Sequence, residues 1–152
     1  FSSLAIKVNY DMPLHTVSRL SKLLGGYLID KKVLVLGLSY RQDIGDTRHS
    51  PAETLVRTLE SNQAQMIGYD PLLDYWPEMN RTLPNVMPDP ADFDAIILST
   101  PHKEFTNLDV VRWLGTARPV LLDTSNVLTL EKRNSCRNIG VRVESVGRGD
   151  GL

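Results

Sequence analysis

Lys32-Val33-Leu34-Val35-Leu36-Gly37 is the segment that most restricts what this chain can fold into. An unbroken, branched apolar run of this length, closed by glycine, suits a strand buried on both faces. Such strands belong to parallel sheets covered by helices. Comparable runs follow at Gln65-Met66-Ile67-Gly68-Tyr69, at Asp94-Ala95-Ile96-Ile97-Leu98-Ser99 and at Pro119-Val120-Leu121-Leu122-Asp123. Val141-Arg142-Val143-Glu144-Ser145-Val146 alternates, and so reads as a fifth strand at a sheet edge. Between the first two runs, Ser50-Pro51-Ala52-Glu53 is a helix start. Ser50 caps, Pro51 takes the first helical position and Glu53 completes a capping box, in a helix running to about Asn62. A second helix is expected over 108–114. The stretch 72–92, rich in Pro, Asp and Asn, holds short structured pieces at most. The repeated order strand–helix–strand predicts an α/β, Rossmann-like parallel sheet with helices on both faces.

The sheet is preceded by a helix. Apolar residues stand at Leu4, Ile6, Val8, Met12, Val17, Leu20, Leu23 and Leu24, helically spaced from Val17 onward. Pro13 predicts a kink or break near Met12, and Gly25-Gly26 a stop. The apolar stripe must be buried, either on this domain or on a further domain or second subunit. The chain opens with Phe1-Ser2-Ser3, without methionine, and the expectation is a piece of a longer polypeptide.

Seventeen Lys and Arg against eighteen Asp and Glu give a net charge of -1 over 152 residues. No long basic run offers a footprint for nucleic acid. The apolar runs are too short to cross a bilayer, so no membrane partner is expected, and with no export signal the expectation is the cytoplasm. The single cysteine, Cys136, excludes an internal disulfide.

In an open parallel sheet, ligands bind beyond the carboxyl ends of the strands at the topological switch point. The loop 38–49 follows the first strand and is rich in charge: Arg41, Asp43, Asp46, Arg48 and His49. Two arginines beside a helix N-terminus form a candidate phosphate site, because the helix offers free N–H groups and arginine offers forked donors. The dinucleotide fingerprint G-x-G-x-x-G is broken, since only the first glycine survives in Gly37-Leu38-Ser39-Tyr40-Arg41-Gln42. Read from the residues alone, a loop whose charges merely solvate or pair with one another stays open beside the phosphate site.

Several segments together resemble a known family. Val35-Leu36-Gly37-Leu38-Ser39-Tyr40-Arg41, then Asp46-Thr47-Arg48-His49-Ser50-Pro51-Ala52, then Tyr69-Asp70-Pro71 are similar to the pattern V-L-G-L-[AS]-F-K…D-[DT]-R-E-S-P-A…Y-D-P. That pattern opens the C-terminal domain of the UDP-glucose/GDP-mannose dehydrogenases. Val8-Asn9-Tyr10-Asp11-Met12-Pro13 resembles the end of the family's central helix. Thr100-Pro101-His102-Lys103-Glu104-Phe105 resembles T-x-H-x-E-F, Asp123-Thr124-Ser125-Asn126-Val127-Leu128 resembles D-x-R-N-V-L, and Gly147-Arg148-Gly149 resembles the usual ending. The resemblance implies an end of the central dimerisation helix at 1–26 and a C-terminal nucleotide-sugar-binding Rossmann-like domain at 27–152. It implies a nucleotide-diphosphosugar substrate, oxidation of the sugar C6 alcohol to a carboxylate, NAD bound mainly by an N-terminal domain, an upstream catalytic cysteine, and a homodimer or higher oligomer.

Residue by residue, the resemblance places Arg41 where the family has a lysine on the nucleotide sugar, and Tyr40 where it has phenylalanine. Ser39 joins them as a substrate-binding candidate. Ser125 stands where the family usually has an arginine that reaches the neighbouring subunit's substrate. Arg48 matches an arginine near the cofactor, with Asp46 beside it. The alternative is an interaction or regulatory module whose nucleotide site has decayed. Asp70 reads chiefly as a turn former, with a ribose-binding acid as the competing role. His102 reads as a turn histidine before a catalytic one, His15 as a surface or interface residue and His49 as a helix-start residue. Cys136 reads as an ordinary thiol despite its basic neighbours, and Trp76 and Trp113 as packing residues.

Overall fold

The computed structural model describes residues 2–48 and 50–146, with side chains from Met12 onward. His49 and Gly147-Arg148-Gly149 lie outside the described residues. The elements in chain order are α1 (Ser2–Leu23), β1 (Lys32–Leu36), α2 (Pro51–Ser61), β2 (Gln65–Tyr69), β3 (Tyr75–Trp76), β4 (Arg81–Thr82), β5 (Ala95–Leu98), α3 (Lys103–Thr106), α4 (Val110–Leu114), β6 (Val120–Asp123), α5 (Leu130–Asn138) and β7 (Val143–Ser145).

Five strands form one parallel sheet in the order β2-β1-β5-β6-β7. The alternation of side chains along each strand divides the core into two layers. Val33, Val35, Ala95, Ile97 and Leu122 face α2 and the end of α1, packing with Val17, Leu20, Val56 and Leu59. Leu34, Leu36, Ile96, Leu98 and Leu121 face α3, α4 and α5 through Phe105, Val110, Leu114 and Cys136. The expected α/β sheet with helices on both faces is borne out. The segment 72–92 contributes the small antiparallel β3–β4 pair and two short 3-10 turns, with Trp76 buried beneath.

Three local expectations are corrected. Of the kink or break expected near Met12, the break does not occur: α1 continues helical through Pro13 to Leu23. Its stripe is buried on this domain at Val17 and Leu20, and Arg19 reaches β7 through a 2.7 Å ion pair to Glu144. His15 is exposed. The capping box at α2 does not form. Ser50 Oγ accepts from the Ala52 N–H at 3.2 Å, while the Glu53 carboxylate turns along the helix to Arg57 at 2.9 Å. The i,i+4 arginine, the stronger charged partner, takes the carboxylate. Finally, α5 had no counterpart in the sequence reading. It buries Cys136 and otherwise shows an intermediate or exposed, mostly polar surface, so no apolar stripe announces it. Its start is capped by Thr129, whose side chain accepts from the Lys132 N–H.

Candidate functional site

With β1 between β2 and β5, the switch point of the sheet lies where β1 and β5 end. Gly37 leaves β1 at φ +99, and an added Cβ there would stand 2.5 Å from Thr100 Cβ and 2.6 Å from the Thr100 backbone nitrogen. The two strand-end loops therefore touch backbone to backbone. Thr100 Oγ1 donates to the Ser39 carbonyl at 3.0 Å, which closes the contact.

Beneath this contact sits Asp70, at the end of β2 and 1% exposed. Its Oδ2 accepts from the Leu38 N–H (2.8 Å), the Ser39 N–H (3.0 Å) and the Ser39 hydroxyl (2.9 Å), and it lies 2.9 Å from His102 Nε2. Its Oδ1 accepts from the Leu72 N–H, which is the turn role expected of Asp-Pro. Burial alone would raise this carboxyl, but the bonds from His102, Leu38 and Leu72 outweigh it and hold the group below the ordinary aspartate value. Asp70 is thus a brace for the β1 loop rather than a ligand-facing acid. The two loop amides that would cradle a pyrophosphate in a dinucleotide fold are satisfied by the protein's own carboxylate.

The loop then makes a tight turn. The Tyr40 N–H donates to the Asp46 carbonyl at 2.7 Å, and Arg41 and Ile44 bridge across it. Asp43 at the tip adopts φ 60 and is pinned to the start of α3. Outside this turn opens a cavity of about 400 Å³ lined by Tyr40, Arg41, Ile44, Asp46 and Arg48. The Arg41 guanidinium lies 5.9 Å from the centre of the Tyr40 ring, and among the described residues it makes no ion pair. Arg48 does: its Nε and a terminal nitrogen meet the two Asp46 oxygens at 3.0 Å each, and this bond raises the arginine further above its ordinary value.

Of the expected residues, Tyr40, Arg41, Asp46 and Arg48 come together on this cavity. Ser39 is 3% exposed, lines neither this cavity nor the next, and spends its hydroxyl on Asp70. Ser125 lies elsewhere, in a cleft of about 160 Å³ with Met12, Pro13, Thr16, Pro51, Leu55, Ser99 and Thr124. Its hydroxyl donates to the Ser99 carbonyl at 2.8 Å. Pro51, at the first position of α2, faces this second cleft, so the helix start and Arg41 do not line a common cavity. The loop carrying Ser125 is shaped by Asp123, fully buried, whose oxygens accept from the Ser125, Val127 and Leu128 amides and meet Arg133 at 3.4 Å.

The sequence reading gives Asp70 and His102 minor parts and names Asp43 and Asp123 without a role of their own. The available signal was position: Asp70 directly after β2, Asp123 closing β6, and Asp43 and His102 in the loops that follow β1 and β5. Cys136 is buried in the core, and burial pushes its thiol up despite the opposing pull of Arg137, against the lowering that its basic neighbours suggested. The native protein should therefore resist thiol-specific reagents and react at the unfolding rate in denaturant. Prompt modification in buffer alone would contradict this burial.

A sequence profile for the UDP-glucose/GDP-mannose dehydrogenase family, UDP binding domain, matches residues 34–130. UDP-glucose 6-dehydrogenase of Rhizobium meliloti is 33% identical over 134 residues, covering 83% of this chain and 29% of that protein. UDP-N-acetyl-D-mannosamine dehydrogenase of Methanococcus maripaludis is 26% identical over 154 residues, covering 98% and 35%. Among solved structures, NDP-N-acetyl-D-galactosaminuronic acid dehydrogenase from Methanosarcina mazei superposes with a TM-score of 0.79 at 23% identity, covering 95% of this chain and 31% of that one. The chain thus spans about a third of the length of the relatives it matches. On the profile match and the switch-point sheet together, the chain belongs to the UDP-glucose/GDP-mannose dehydrogenase family and carries its C-terminal UDP-binding domain.

Proposed function

We propose that this chain holds the nucleotide diphosphate of a sugar nucleotide for an NAD-dependent 6-dehydrogenase, which oxidises the sugar C6 alcohol to a carboxylate. The observation that carries this reading is the Arg41 guanidinium. It stands on an open cavity at the switch point, on a loop braced from below, and no carboxylate among the described residues neutralises it. A forked, permanently charged donor in that position suits a diphosphate, and Tyr40 beside it offers an aromatic face to a base or ribose.

The residues present do not fit an NAD site of their own. Ser39 stands where the fingerprint's second glycine would be, buried, and the amides after Gly37 are taken by Asp70. In this reading NAD and the catalytic thiol belong to the remainder of a longer protein, with Arg48 and Asp46 at the face turned toward the cofactor. Residues 1–26 then form the end of a central dimerisation helix, and 27–152 the substrate domain.

Calorimetry or amide NMR with UDP, GDP and NAD tests the proposal. UDP or GDP should bind and shift the amides of 38–48, while NAD should not. Arg41→Ala should weaken nucleotide binding by roughly tenfold, the loss of one charge-assisted bond, with the unfolding midpoint unchanged. Equal binding by wild type and variant would remove Arg41 from the site. No binding of any nucleotide would favour the interaction or regulatory module.

A further inference from the structure

The turn after β5 carries an imidazole that lines neither cavity. His102 is 1% exposed, yet both ring nitrogens are engaged. Nε2 lies 2.9 Å from Asp70 Oδ2, and Nδ1 receives the Asp43 backbone N–H at 2.7 Å. An amide can only donate, so Nδ1 presents a lone pair and the single ring proton sits on Nε2, facing the carboxylate. This hydrogen-bond network assigns the neutral tautomer. The Asp43 carboxylate in turn accepts from the Lys103 N–H at 2.9 Å and stands 3.9 Å from Nδ1. The tip of the loop is therefore fastened to the start of α3 twice, both times through Asp43, in a backbone conformation (φ 60) that a non-glycine residue holds only when it is fastened. Tyr40 and Arg41 lie on the arm that this fastening closes.

We propose that His102 is a positioning residue for nucleotide binding: its neutral Nε2–H form holds the Tyr40–Arg41 turn in place, and a second proton, on Nδ1, releases it. The proposal rests on the reading that this turn binds a nucleotide. Once protonated, Nδ1 confronts the Asp43 amide donor to donor. The nearest acceptor is then the Asp43 carboxylate, which must leave the Lys103 N–H to reach it. The charged and titratable groups around the ring are Asp70 from the end of β2, Asp43 from the β1 loop, and Lys103 and Glu104 on α3. Glu104 is bound to the Tyr69 hydroxyl at 2.6 Å, and the uncharged Phe105 ring packs at 5.9 Å. Asp70 remains a carboxylate as the imidazole titrates, because its hydrogen bonds hold it below the ordinary aspartate value.

The test uses UDP-glucose, whose phosphates are both esterified and carry no proton that titrates near neutrality. Its affinity is measured from about pH 8 downward to the pH at which imidazole ¹⁵N spectra show the second proton on His102. Wild type should bind about tenfold more weakly at the acid end, the equivalent of one lost hydrogen bond. In His102→Gln, the side-chain amide can donate to Asp70 and accept from Asp43 but cannot take up a proton. That variant should bind more tightly than His102→Ala and show no such pH dependence. Parallel pH curves for wild type and His102→Gln overturn the proposal. Imidazole ¹⁵N spectra give a ligand-free readout: the His102 signals should report the Nε2–H tautomer, and the Asp43 amide should shift as they titrate. If UDP-glucose fails to bind at every pH, the nucleotide reading falls, and these spectra still decide whether His102 governs the turn. An Asp43 amide indifferent to His102 protonation overturns that claim as well.

Discussion

Gly37→Ala should lower the stability of this chain by roughly 3–5 kcal/mol, a large share of what a domain of this size has. Two costs add. At φ +99 a side chain is strained whatever the surrounding space, and the new Cβ would sit 2.5–2.7 Å from three Thr100 atoms, one of them backbone nitrogen. Thr100 cannot withdraw, because its N–H is bonded to the Leu36 carbonyl and its hydroxyl to the Ser39 carbonyl. Gly26→Ala separates the costs: Gly26 has a similar φ of +103 but nothing within 4 Å of an added Cβ. Urea denaturation should give only the conformational cost, about 1 kcal/mol, for Gly26→Ala. Equal destabilisation by the two variants would show that the close approach of the β1 and β5 loops costs nothing.

Asp70→Ala is expected to be nearly as severe, about 3–5 kcal/mol, since it strands the Leu38 and Ser39 amides, the Ser39 hydroxyl and the His102 Nε2–H in a buried site. It should also abolish nucleotide binding at concentrations where the wild type is saturated, because the arm bearing Tyr40 and Arg41 loses its brace. Retention of wild-type affinity would separate the brace from the site. The pH dependence has a definite sign. The Asp70 carboxyl is lower in the folded state than its ordinary value, so its contribution is complete above that value, about 4, and is lost as pH falls through the lower folded one. Stability curves of wild type and Asp70→Asn should therefore lie parallel at neutral pH and converge only in strong acid. Convergence already near pH 6 would contradict the lowered carboxyl.

These two residues show how unevenly the molecule was legible in its sequence. Gly37 could be read at once, as the end of an apolar run. Asp70 could be read only as half of an Asp-Pro turn, since its other partners lie 31 or more positions away in the chain. The same holds for Ser39. The resemblance marks it as a substrate contact, and the fold turns it inward because the Asp70 carboxylate lies directly beneath. Arg41 and Ser125, both read as substrate residues, line different cavities, because one follows β1 and the other β6, with β5 between those strands. Even α5 escaped notice for a physical reason, as a helix that buries little beyond one cysteine leaves no apolar period to find.

What the sequence by itself determined was the parallel sheet, the helix beginning at Pro51 and the position of a charged loop at the switch point. Those depend on burial patterns and backbone preferences expressed over a few neighbouring residues, and the motif resemblance supplied the family. Only the tertiary structure decided where the polar side chains of that loop send their hydrogen bonds. Asp43 meets His102 across 59 positions because parallel pairing brings the ends of β1 and β5 level. A buried donor takes the acceptor that the sheet register sets beside it, and that register arises from the packing of the whole domain.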